Sequence, residues 1–216
     1  MGILIWCQNL FDKIRKGLDF IPSLLLRIYL VPVFFIAGSN KWNPFADGGT
    51  FNPAEGLADV ANWFGNPDWG LGLPAPLLMA FLAWAAEYLG AIALALGVAV
   101  RWVCIPLMFT MIVAATTVHW GNGWQAVHDI KSPHASANAE DAIDRLSRAK
   151  SILKEHGNYG YLTEHGGFVV SNNGIEWAAT YFIMLMALMF LGAGRFFSID
   201  YWINRKYRAG YRPGLE

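Results

Sequence analysis

Four windows of the chain are apolar for long enough to cross a lipid bilayer, which takes about 20 residues per helical crossing. They lie at about 21–39, 76–100, 102–120 and 175–194. The second and third run almost continuously over more than 40 residues. As one helix they would measure roughly 60 Å, twice the hydrocarbon thickness, so this stretch must fold back on itself. Gly97 and Arg101 mark the turn, because glycine loosens a helix and a charge prefers the headgroup level. Outside these windows the pattern becomes amphipathic. Residues 3–18 place Ile3, Trp6, Leu10, Phe11, Ile14 and Leu18 on one face and Lys13, Arg15 and Lys16 toward another, which predicts a helix lying in the membrane interface. Asn52 and Pro53 before Glu55 start a short helix that Gly65 stops, predicted as an interfacial lid. Asn138 precedes Glu140, Asp141 and Asp144, and then Arg145, Arg148, Lys150 and Lys154 lead to Gly157. This predicts a solvated helix whose charges complement its dipole.

Composition supports the bilayer: 55% of the 216 residues are hydrophobic and only 15% charged, too apolar for an ordinary soluble domain of this size. The formal net charge is zero and the basic residues form no soluble face, which excludes nucleic acid as a partner. Cys7 and Cys104 are far apart and outside any CxxC motif, so no disulfide is expected. The start MGILIWCQNLFDKIRK has no small-residue cleavage site and does not read as a removable signal peptide.

Lysine and arginine near helix ends set the expected orientation. Lys13, Arg15, Lys16 and Arg27 precede or enter the first helix, Arg101 lies in the hairpin turn, and Arg195, Arg205, Lys206, Arg208 and Arg212 follow the fourth. These mark the cytoplasmic ends and put both termini on that side. The loops 40–75 and 121–173 then face outward; the first holds Lys41 against Asp47, Glu55, Asp59 and Asp68. Trp42, Trp102, Trp120, Trp177 and Trp202 fall at predicted helix ends, as an aromatic belt requires, and Trp84 does not. The expected fold is all-α and integral to the membrane. It is a four-transmembrane-helix bundle forming a single domain over 1–216, with an N-terminal interfacial helix and a long helical extracytoplasmic loop.

Ionisable groups within a span are costly and therefore mark candidate sites. Arg27 and Glu87 are the deep ones, about 10 and 15 Å from the inner ends of their helices at 1.5 Å per residue. Either they pair between the first two helices as a structural ion pair, in which case replacing both by Met and Leu would be nearly silent in function, or Glu87 serves a proton or ligand. Lys41, His119 and Glu176 fall at outer helix ends and, with Arg27 and Glu87, make a candidate polar cleft suited to proton transfer or an anionic head group. Plain structural readings also exist: Lys41 snorkels, Asn173 and Glu176 form a capping box, and a loop carbonyl satisfies His119.

All five histidines, His119, His128, His134, His156 and His165, fall between the third and fourth windows. His119 and His128 are the metal candidates, although no HxH or HxxxH spacing and no outer cysteine supports them. Met184, Met186 and Met189 are read as packing. Walker A, GxSxG and HExxH motifs are missing. A quinone site would leave no such motif, since it needs only an apolar cleft with one or two hydrogen-bonding groups.

RIYLVPVFFIAGSNKW in the first window, EYLGAIALALGVAVRW across the second and its turn, the histidine ending the third, and GAGRFFSIDYW after the fourth together resemble the DoxX family of small four-helix membrane proteins. The positions that carry the resemblance are Arg27, Gly38, Lys41, Glu87, Gly90, Gly97, Arg101, His119 and Arg195. NGWQAVHD and LKEHGNYGYLTEHGGFVVSNNGIEWAATYFIM look like the DoxX-type proteins encoded with Hvf-type copper-binding modified peptides. That resemblance implies an accessory protein of the bacterial inner membrane that assists maturation or handling of such peptides, with the peptide and its maturation enzymes as partners. Other DoxX relatives are subunits of thiosulfate:quinone oxidoreductase or of membrane redox complexes, which implies a quinone-linked subunit as the alternative. A non-catalytic scaffold is the third reading. Copper or quinone is the implied cofactor, and the lipid bilayer the surrounding partner.

Overall fold

The structure is a computed structural model and describes residues 2–207; Arg208 and Arg212, counted above among the basic residues after the fourth window, lie outside the described residues. Helix α1 (Gly2–Leu18) is separated from α2 (Phe20–Lys41) by Asp19 alone. The Asn52–Gly65 pattern predicts one helix, and the chain forms two, α3 (Pro53–Gly56) and α4 (Ala58–Gly65). Asn52 caps α3 by accepting from the Ala54 amide at 3.1 Å. The break at Leu57 turns that side chain, fully inaccessible, into a core shared with Trp42 and Phe64.

The second window is not one uniform helix. It consists of α5 (Pro76–Trp84), a π-helical turn over Ala85–Leu89, and α6 (Gly90–Leu96). Gly97, left-handed at φ 69°, ends it, with the Val98 amide donating back to Ala93 O at 2.9 Å and that of Gly97 to Leu94 O at 3.2 Å. This closure needs a positive φ that glycine adopts without strain. Helix α7 (Val100–Val113) follows at once. The hairpin predicted at Gly97 and Arg101 is therefore present. Its restart is stabilised from a distance: the amides of Ala99 and Val100 donate to the Asp200 carboxylate at 2.7 and 3.0 Å. Beyond α7 come a second π-helical turn (Ala114–His119), a 3₁₀ turn (Trp120–Asn122), α8 (Ala139–His156), α9 (Tyr159–Leu162), α10 (Glu176–Leu191) and α11 (Ile199–Tyr207). Helix α8 is the solvated helix predicted from its charge order.

Among the described residues three helices are long and apolar enough to cross a membrane: Phe20–Lys41, Pro76–Leu96 and Val100–Asn122. Only 22%, 39% and 11% of their most apolar windows is buried within the protein. So much outward-facing apolar surface suits hydrocarbon and not water. The fourth window is shorter than expected. Helix α10 has 16 residues, or about 24 Å of length against a hydrocarbon core of about 30 Å. Ile175 is drawn into the preceding loop, its amide donating to Gly123 O at 3.0 Å. At the other end Gly192, Gly194 and Phe196 take positive φ and stop the helix.

The chain divides into two compact units; among the described residues one holds those up to Thr110 and from Phe182 onward, and the other is Met111–Tyr181. The core of the first is built from Leu30 and Phe34 of α2, Ala91 and Leu94 of α6, Cys104 and Leu107 of α7, and Leu185 and Leu188 of α10, all essentially inaccessible. A second cluster joins Trp42, Leu57, Phe64, Ala80, Trp84 and Tyr88. Trp42 therefore departs from the expected aromatic belt. It is buried against Trp84, ring centroids 4.4 Å apart, and the Trp84 indole donates to Trp42 O at 2.8 Å. This also accounts for the position of Trp84 inside its window. Trp102, Trp120, Trp177 and Trp202 are more than half exposed, as belt residues are. In the second unit the loop before α8 is held by buried polar groups; Asn172 Nδ2 donates to Asn122 O and Gln125 O, both at 2.7 Å.

Candidate functional site

The site begins with the close approach of α2 to the first π-helical turn. A Cβ placed on Gly38 would lie 2.7 Å from the Tyr88 amide nitrogen and 2.8 Å from its Cα. Backbone cannot yield to a side chain there, so this contact requires glycine and sets the register of the two helices. Three residues beyond Gly38, Lys41 stands beside Glu87. Eleven residues the other way, about 16 Å along the axis, Arg27 stands beside the end of α6. That offset puts Arg27 and Glu87 out of each other's reach and removes the pairing expected from the sequence.

Glu87 is paired with Lys41 instead, Oε2 to Nζ at 2.5 Å. The glutamate side chain is 7% exposed and that of the lysine 23%. Lys41 thus points into the protein toward a carboxylate, in place of snorkelling. Aromatic rings surround this end of α2. Tyr88 stacks on Trp84 at 5.5 Å and on Phe35 at 5.1 Å, and Trp42 covers Trp84. Beside Lys41 in sequence, Ser39 Oγ is buried without a hydrogen-bond partner. A π-helical turn inside an α-helix sacrifices regular hydrogen bonding and recurs where a side chain must be aimed at a site. Here it carries the one carboxylate of the span.

Arg27, 3% exposed, donates to four carbonyl oxygens. Its Nε donates to Leu94 O at 2.6 Å, Nη2 to Ala95 O at 2.9 Å, and Nη1 to Ala193 O and Phe197 O, both at 2.9 Å. The first two are carbonyls of the last turn of α6, and the others belong to the turn after α10. A guanidinium at a helix C-terminus satisfies orphan carbonyls and complements the dipole. Arg27 is therefore a latch between two chain segments, with four of its five N–H donors committed to carbonyls.

His119 and Glu176 belong to the second unit, whereas Arg27, Lys41 and Glu87 belong to the first. His119 Nδ1 hydrogen-bonds Asn173 O at 2.8 Å, the loop-carbonyl arrangement weighed from the sequence. The expected capping box at Asn173 does not form. Asn173 is left-handed at φ 57°; its amide donates to Ala126 O at 3.0 Å, while Glu176 accepts from the Ala126 amide at 2.8 Å. Glu176 therefore fastens a loop. His128 is buried, with Nδ1 3.0 Å from Ser136 Oγ. Among the described residues no three His, Cys, Asp or Glu side chains are grouped to hold a metal ion. Each metal candidate already uses one ring nitrogen on a protein partner.

The π-helical turn, the capping role of Arg27 and that of Asp200 carry no local sequence signal, since each depends on a distant segment. Lys41 was visible only as a cation at a helix end.

These features define an all-α, multi-pass membrane protein with a lysine–glutamate pair enclosed at one end of its first long span. Within that class, the DoxX family model matches residues 23–120 of the chain. The matched segment holds Arg27, Gly38, Lys41, Glu87 and His119, and ends before Glu176. No curated protein and no solved structure matches the chain significantly.

Proposed function

We propose that this protein is an accessory subunit of a redox assembly in the bacterial inner membrane, where Glu87 passes a proton to or from a quinone-class ring and Lys41 is its counter-charge. The observation that carries the reading is the enclosed Lys41–Glu87 pair on a π-helical turn beside Trp42, Trp84 and Tyr88. A quinone needs apolar and aromatic surroundings and a group that exchanges a proton at its carbonyl oxygen. The aromatic cluster supplies the first and the pair the second. Ser39 Oγ offers a further buried donor. Electrons move in the same direction as the proton, from a partner's redox centre on quinone reduction and to it on quinol oxidation. In this reading α10 crosses as a fourth, short span, both termini are cytoplasmic, and the Lys41 end faces outward.

Quinone binding is tested by thermal unfolding of the protein in nanodiscs with and without decylubiquinone. A ligand present at about 100 times its Kd stabilises by about 2.7 kcal/mol. The midpoint is expected to rise by several degrees for the native chain and to stay put for Glu87→Gln. No rise in the native protein, with its helical content intact by circular dichroism, sinks the proposal.

A second reading, maturation or handling of copper-binding peptides, is favoured by a different observation: all five histidines lie within Met111–Tyr181, a compact unit of its own. Copper titration of the purified protein checks its metal part. Combined His119→Ala and His128→Ala is expected to weaken binding at least tenfold, and unchanged binding removes the metal from this reading.

A further inference from the structure

Helix α1 has no buried residue, although Ile3, Leu4, Trp6, Leu10, Phe11, Ile14 and Leu18 lie along it. At 100° per residue these side chains gather into one broad arc with Cys7 in its middle. Lys13 and Arg15 border the arc on its two edges, and with Lys16 they outnumber Asp12. The helix is therefore an apolar stripe with basic margins, and among the described residues none of its side chains is buried by the protein.

Among the described residues, only its C-terminal end is fixed. Arg195 Nη2 donates to Lys16 O at 2.6 Å, and Arg195 Nε to Asp19 Oδ1 at 2.7 Å. Phe20 meets Phe196 edge-on at 5.4 Å. The same turn leads into α11, where Tyr201 is buried but Ile199, Trp202, Ile203 and Tyr207 are exposed. Arg205 lies over the Trp202 ring at 5.4 Å and Lys206 over that of Tyr207 at 5.2 Å. The acid of α11, Asp200, is committed to the α7 amides, so it does not offset these cations.

We infer that α1 and α11 together form an anchor for anionic phospholipid headgroups, with α1 lying in the headgroup layer and tethered to the bundle by Arg195. Continuity argues for this occupant. One residue separates α1 from α2, the first helix of membrane length. A straight continuation of 17 further residues would carry the apolar arc about 25 Å out into water. Lying in the interface buries the arc, and the basic margins reach the phosphates. The charge selects acidic lipid over zwitterionic lipid, each basic residue near such a surface adding about fivefold to the affinity.

Cys7 is a reporter already in place, because the other cysteine, Cys104, is fully buried. The experiment measures the rate at which a polar maleimide labels Cys7 in nanodiscs of phosphatidylcholine, and in discs containing one third phosphatidylglycerol. Labelling is expected to be at least about tenfold slower in the acidic discs. The difference should vanish in 1 M salt, where screening acts over about 3 Å. It should also vanish in the Lys13→Gln, Arg15→Gln, Lys16→Gln variant, whose unfolding midpoint stays unchanged because no buried side chain is altered. Equal rates in the two lipids overturn the proposal. Slow labelling in both means that neutral lipid or a second protein copy covers the arc; fast labelling in both means that nothing does.

Discussion

Lys41→Met is expected to destabilise the protein by about 3–5 kcal/mol, the usual cost of stranding one member of a buried ion pair. Glu87→Leu should cost less. The asymmetry follows from exposure: the glutamate side chain is 7% accessible and the lysine side chain 23%. An unpaired Lys41 can swing its ammonium toward water, whereas an unpaired Glu87 has no such path. The double variant Lys41→Met, Glu87→Leu is expected to lie close to the native stability, because apolar replacement of both partners removes the desolvation cost along with the attraction. Unfolding midpoints in detergent for the native chain, both single variants and the double variant complete the cycle. If the two single losses simply add, the pair contributes no coupling and the geometry at the end of α2 has been misread. The double variant also separates function from scaffolding. A stable bundle that no longer responds to quinone assigns the pair to chemistry; a stable bundle that still responds assigns it to structure.

Arg27→Met is expected to be more damaging still. It removes the donors for the buried Leu94 O and Ala193 O bonds and for the part-buried Ala95 O and Phe197 O bonds. Each buried polar group left unsatisfied costs about 1–3 kcal/mol. Together they take a large share of a typical net stability of about 5–15 kcal/mol. The variant should yield little folded protein by size-exclusion chromatography. Arg27→Lys should recover part of the loss, since an ammonium has three donors but lacks the planar fork that spans both helix ends. Combining Arg27→Met with Glu87→Leu, a nearly silent change had the two been partners, is expected to show two independent losses. A near-native midpoint for Arg27→Met would mean that the latch is dispensable.

The failure to read the Arg27 and Glu87 partners from sequence has a definite physical origin. Both residues are conspicuous as charges in apolar runs, and depth along each helix follows from counting residues. Pairing, however, depends on the relative sliding of two helices. Here that is set by the Gly38 contact with the Tyr88 backbone, and nothing in either helix alone announces it. The same reasoning covers Trp42, which looks like a belt residue at a helix end but is drawn into the core because α3 and α4 fold back over it. Glu176 is a similar case, since its capping role was inferred from spacing and lost to a loop amide brought in from Ala126.

The sequence by itself determined the features that depend on a segment and its solvent. These are the all-α class, the three membrane-length helices, the hairpin at Gly97, the amphipathic α1 and the solvated α8. Each follows from local periodicity, length and charge order measured against a bilayer of known thickness. Only the tertiary structure decided that α10 is shortened at both ends, that a π-helical turn carries Glu87, and which partner each buried charge takes. Those outcomes rest on contacts between residues tens to more than a hundred positions apart, where hydrogen-bond satisfaction and backbone approach select among pairings that hydropathy leaves equal.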